Sequence, residues 1–126
     1  MKASELRIGN KVNYFSESAD RWFDNHEVTA LDIECLDLDR GDHADGIPLT
    51  EKRFISLGFE KITGIEIPGY RIKPKNGPLP FMIFFDEPLY RYGFDQAETH
   101  CFKHFQYVHH LQNLYFVITG EELKER

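Results

Sequence analysis

An α+β fold is what this chain predicts, and three observations carry the prediction. Apolar and polar residues alternate in short runs near the N-terminus and again after residue 60, with the period of half-buried strands. Phe81–Phe85 (FMIFF) is apolar throughout, as a strand covered on both faces must be. Two other stretches, Glu51–Leu57 and Phe105–Ile118, carry helical capping signals or helical spacing. The 126 residues suit a single domain over 1–126, and 41% hydrophobic with 29% charged residues is a globular balance. Eleven Phe are enough for a core that needs no metal or cofactor.

In chain order, Leu6, Ile8, Val12 and Tyr14 alternate around Gly9-Asn10, a turn or bulge signal. The polar tract Ser16–Asp24 reads as a loop with Trp22 and Phe23 tucked back. Val28–Leu38 reads as a second extended run. In it Leu31, Ile33 and Cys35 alternate with acids before the phase slips to Leu36 and Leu38, so a bulge is expected near Cys35-Leu36. Short strands around Gly9-Asn10 suggest a small SH3-like barrel. Arg40–Gly46 is a charged turn.

The helix Glu51–Leu57 has the fullest signature. Thr50 is placed as N-cap, Leu49 and Phe54 as a hydrophobic staple, and Gly58 as a left-handed stop with Phe59 folding back on Phe54. A β-meander follows. Lys61–Ile67 and Tyr70–Lys75 flank Pro68-Gly69, and Tyr70–Lys75 and Leu79–Phe85 flank Asn76-Gly77. Leu89–Phe94, after Pro88, is expected as an edge strand, and Asp95–His104 carries no clear pattern. The long C-terminal helix is expected to lie on the sheet.

A formal charge of −6 repels phosphate backbones and anionic membranes. Cys35 and Cys101 are too few for a disulfide scaffold. The opening MKASELRIGN has no apolar run resembling a signal peptide, and no segment has the roughly 18 apolar residues of a membrane span. A cytoplasmic setting is the expectation.

Four constellations bear on chemistry. His100 and His104, four apart beside Cys101, with His109 or His110 to complete a set, suggest zinc. The pattern lacks paired CxxC units, and on a strand Cys101 points away from both histidines, so surface histidines beside a core cysteine are the commoner meaning. The acids from Asp37 resemble a calcium loop, but positions 6 and 12 hold Asp42 and Pro48 where Gly and Glu are required. There is no Gly-x-Ser-x-Gly elbow and no phosphate-cradling glycine loop, so an enzyme is not expected. Arg71, Lys73 and Lys75 alternate, project from one face of a strand, and with nearby tyrosines resemble a grip on single-stranded nucleic acid. A solvated hairpin face is the plainer meaning.

The last helix is unusual. Tyr107, Val108, Leu111, Leu114, Tyr115 and Ile118 make one apolar stripe; Phe105, His109, Gln112 and Phe116 make a second on roughly the opposite side. With Asn113, the second stripe is either buried in the monomer or offered to a partner protein or a second copy.

Leu6-Arg-Ile-Gly-Asn10, Ile47-Pro-Leu-Thr50, Leu57-Gly-Phe-Glu60, Tyr107-Val-His-His-Leu-Gln-Asn-Leu-Tyr-Phe116 and Thr119-Gly-Glu-Glu-Leu123 follow in order and resemble a family of small uncharacterised bacterial proteins associated with prophages and other mobile elements. That family more often has His-Gln at the histidine pair, so His110 departs from it. The resemblance implies no activity to carry over; it implies a cytoplasmic accessory protein of phage–host interaction. The expected function is therefore a non-enzymatic protein-interaction module without cofactor, with Phe105, His109, Gln112, Asn113 and Phe116 as the partner face. The alternatives are single-stranded nucleic acid at Arg71, Lys73 and Lys75, and zinc at His100 and His104.

Overall fold

Local signals and long-range pairing together make an α+β chain, with two antiparallel sheets and three α-helices among the described residues. The computed structural model describes residues 2–75, 80–86, 89–93, 100–102 and 106–125, with backbone alone at 86, 89 and 100–102. The chain divides into two compact units, one of residues 1–48 and 107–113 and one of 49–106 and 114–126.

In the first unit, strands β1 (Lys11–Ser16), β2 (Arg21–Glu27) and β3 (His43–Gly46) form a sheet of order β2-β1-β3. The β1–β2 turn closes with the Ala19 amide donating to Ser16 Oγ at 3.3 Å. The register slips between Val12 and Tyr14, where Asn25 takes a positive φ of 52° and its amide donates to Asn13 Oδ1 at 3.1 Å. Val12, Tyr14 and Ala44 point to one face and meet Leu6, Val28, Ile33 and Leu36 in a core. Among the described residues the strands form open sheets with no closed barrel.

Two expectations are corrected here. The tract Ser16–Asp24 is not all loop, because β2 begins at Arg21. Val28–Leu38 is not a bulged strand: α1 (Ala30–Asp37) occupies it, so three α-helices occur among the described residues where two are expected. Its Thr29 N-cap oxygen accepts from the Asp32 amide at 3.2 Å while Asp32 Oδ2 accepts from the Thr29 amide at 2.9 Å, a capping box with Asp in the usual Glu place. The apolar alternation is misleading because the half-buried pair packed on the core is Ile33 and Leu36, three apart, whereas Leu31 is 66% exposed.

The second unit begins with α2 (Glu51–Ser56), as its caps predict. Thr50 Oγ1 accepts from the Arg53 amide at 3.3 Å. At the other end Gly58 has φ +95°, its amide donates to the Ile55 carbonyl, and the Phe59 amide donates to the Phe54 carbonyl, both at 3.0 Å. These bonds are the Schellman pair. The Phe59 ring meets Phe54 edge-on at 5.5 Å, and Phe54 stacks on Tyr70 at 4.2 Å.

The second sheet has order β4-β5-β6-β7-β8: Glu60–Lys61, Gly69–Ile72, Phe81–Asp86, Leu89–Gly93 and His100–Phe102. Phe81–Phe85 is central as expected, with Phe81, Ile83 and Phe84 buried. Leu89–Gly93 is interior rather than an edge, because β8 pairs with it. Nor is Pro68-Gly69 a two-residue turn, since β4 ends at Lys61 and a longer loop follows. Gly69 is required by packing: a Cβ there would stand 2.7 Å from the Phe84 ring. The Asn76-Gly77 turn lies outside the described residues.

Helix α3 (Val108–Thr119) contributes 108–113 to the first unit and 114–119 to the second. The Val108 amide donates to the Ile47 carbonyl at 2.8 Å. Gly46 lies under Tyr107, where a Cβ would fall 2.4 Å from the ring.

Candidate functional site

Helix α3 carries most of the candidate partner face. His109 and Gln112 are each 1% exposed, Asn113 is half-buried, Phe116 is 38% exposed, and Phe105 lies outside the described residues. At about 100° per residue, Gln112 sits only about 40° from Val108, so the two stripes merge at Gln112 instead of opposing each other. The proposed partner face is therefore corrected at His109 and Gln112, whose side chains are interior.

Their partners explain the burial. Gln112 Oε1 accepts from the Lys11 amide at 2.8 Å and from Asn10 Nδ2 at 3.4 Å, and its Nε2 donates to the Gly9 carbonyl at 3.4 Å. Asn113 Oδ1 accepts from Asn10 Nδ2 at 2.9 Å and Arg7 Nη1 at 3.0 Å, while its Nδ2 donates to the Glu5 carbonyl at 3.2 Å. Asn10 Oδ1 accepts from the Arg7 amide at 2.7 Å. Two of the sequence blocks, Leu6–Asn10 and Tyr107–Phe116, thus meet in one amide network that ties a turn to a helix. His109 differs: its Nδ1 has no hydrogen-bond partner among the described residues. Burial, then the neighbouring His110, pushes its imidazole down to about 4.

A second polar cluster sits where α1 meets its sheet. His26 Nε2 lies 2.7 Å from Asp32 Oδ2, and Tyr14 donates its hydroxyl to Asp42 in a short hydrogen bond. The two rings, Tyr14 and His26, are 5.2 Å apart. Burial, then the Asp42 hydrogen bond, raises the Tyr14 hydroxyl, which stays protonated. Burial works against the Asp32 charge, but the Thr29 amide, His26 and the Thr29 hydroxyl outweigh it and hold the carboxyl below its ordinary value. Each acid is occupied by a capping or bridging bond, so the cluster fixes α1 and the segment leading into β3.

Arg71, Lys73 and Lys75 are exposed and alternate with buried Ile72 and Pro74, but β5 ends at Ile72, so only Arg71 lies on the strand expected to carry all three. Acids accompany them. Arg71 Nε lies 3.6 Å from Glu60, Lys61 Nζ 3.0 Å from Glu51, and Glu121 accepts from the Lys75 amide at 2.9 Å. For the zinc candidates, His104 lies outside the described residues and His100 is described by its backbone alone. Among the described residues no group of three metal-ligating side chains occurs.

What the sequence missed is the other face of the first sheet. Register places Trp22 opposite Phe15 on one side and His43 opposite Phe15 on the other, so three aromatic rings cross the sheet in a row. The Phe15–Trp22 centroids are 5.5 Å apart and the Phe15–His43 centroids 6.1 Å. Asn13, Asp45, Lys11 and Glu27 share this face by the same register. Trp22 is 48% exposed and His43 is exposed as well. Comparison with protein-family models, curated proteins and solved structures finds no match. The overlooked signal was Glu17–Asp20, a short polar turn between two β-rich runs.

Proposed function

We propose that this protein is a non-enzymatic interaction module that docks a protein segment on the aromatic row Trp22–Phe15–His43. One observation carries the reading: an exposed Trp stands in register with Phe15 and His43 on the outward face of a three-stranded sheet. Large amphipathic rings left half in water are the common anchors of protein contacts, and Trp foremost among them. Strands paired in a sheet present them without loop ordering, which lowers the cost of binding. The ordered sequence blocks support a prophage or mobile-element accessory role for such a module. No helix among the described residues is long and apolar enough to cross a membrane.

The test is a randomised peptide library selected on the full-length protein, with Trp22→Glu as counter-target. Peptides retained by the wild type and released by the variant are the expected result. Equal retention by both, or no enrichment, would sink the reading.

A further inference from the structure

We infer that the segment taken by the aromatic row is cationic and arginine-rich, its guanidinium groups stacking on Trp22 and Phe15 while nearby carboxylates supply the counter-charge. The inference rests on the reading of the row as a docking surface and names its partner.

Charge is the first observation. The unit of residues 1–48 and 107–113 holds five Lys and Arg against eleven Asp and Glu, while the other unit holds ten of each. The whole net charge of −6 therefore belongs to the unit that carries the row. On the same face, register sets Asp45 two residues along the strand from the row, opposite Asn13, and Glu27 four residues along, opposite Lys11. A cation is drawn to such a face, and a phosphate backbone is repelled, so stacked nucleobases are not its ligand. A second copy of the same face would bring acids against acids.

The second observation is that this sheet already makes the contact within itself. The Arg21 guanidinium carbon sits 4.3 Å from the Phe23 ring centroid, on the side opposite the row. A planar guanidinium covers a ring with its face and keeps its edge donors for carboxylates, which a lysine ammonium cannot do. Aromatic platform and acidic surround thus select arginine over lysine.

Hexa-arginine, hexa-lysine and hexa-glutamate peptides, titrated into the full-length protein, test this. Trp22 is the one Trp of the chain, so its fluorescence reports the row directly. Hexa-arginine is expected to bind saturably and several-fold tighter than hexa-lysine, weakening as salt rises through about 0.1 M, with no response to hexa-glutamate. Calorimetry on Trp22→Ala should show about a tenfold loss at an unchanged melting temperature, and Trp22→Phe less than about a threefold loss. Asp45→Asn, which leaves the rings in place, should also weaken binding. Equal affinity for hexa-lysine, indifference to Trp22→Ala, or no binding overturns the inference. If the library instead yields Trp22-dependent peptides of neutral or acidic composition, the docking surface stands and the cationic partner falls. If it yields none, the docking surface falls too.

Discussion

Gln112 and His109 are neighbours on one buried face and meet opposite fates. The Gln112 amide finds two donors and one acceptor around Gly9–Lys11, so its burial leaves little polar cost. His109 leaves Nδ1 unpartnered among the described residues, and a proton placed there would be a buried charge. Its value of about 4 in the folded chain lies below the ordinary 6.5, so the unfolded chain takes up the proton first. The stabilisation is whole above about pH 6.5 and declines as pH falls toward 4. Urea midpoints measured from pH 7 to pH 4.5 are expected to decline, and His109→Phe to flatten that decline; a constant wild-type midpoint would contradict the assignment. Asp32 acts lower on the scale. Its folded value is depressed below 3.8, so its contribution is present above that pH and is lost only on further acidification.

At the level of elements, α2 and α1 show what local chemistry can and cannot reveal. α2 carries a cap at each end, and both form as the residues predict. Gly58→Ala forces a Cβ into the left-handed region at φ +95°, and a loss of about 1 kcal/mol in denaturant unfolding is expected. An unchanged stability would mean that the Schellman turn contributes nothing. α1 has a cap as well, Thr29 with Asp32, but its apolar residues also fit a strand period. Only the packing of Ile33 and Leu36 against the sheet decides the matter. Conversely β2 looked like loop, since Asn25 and its bulge break the alternation that marks a strand.

For the whole molecule, charge is distributed unevenly between the two units. All of the −6 lies in one unit, while the basic residues Arg71, Lys73 and Lys75 belong to the neutral one, where Glu60 lies beside Arg71 and Glu121 accepts from the Lys75 amide. Nucleic-acid binding at that ridge is accordingly expected to be unmeasurable at about 0.15 M salt, by fluorescence anisotropy of a labelled single strand. Binding that persists there and disappears in Arg71→Glu would restore the alternative. The candidate site was legible only in part: Arg71, Lys73 and Lys75 face outward as read, whereas His109 and Gln112 turned inward and Trp22 outward.

By itself the sequence determined the α+β class, the start and caps of α2, and the central place of Phe81–Phe85. These depend on contacts within a turn or on a run of apolar residues that no solvated position tolerates. Only the tertiary structure decided the helical state of 30–37, the inward side of His109 and Gln112, and the row Trp22–Phe15–His43. The physical reason is separation along the chain. Asn10 and Gln112 are 102 residues apart when they bond, and strand register sets which rings share a face. No local pattern reports pairings of that range, because the free energy that favours them exists only once the partners have met.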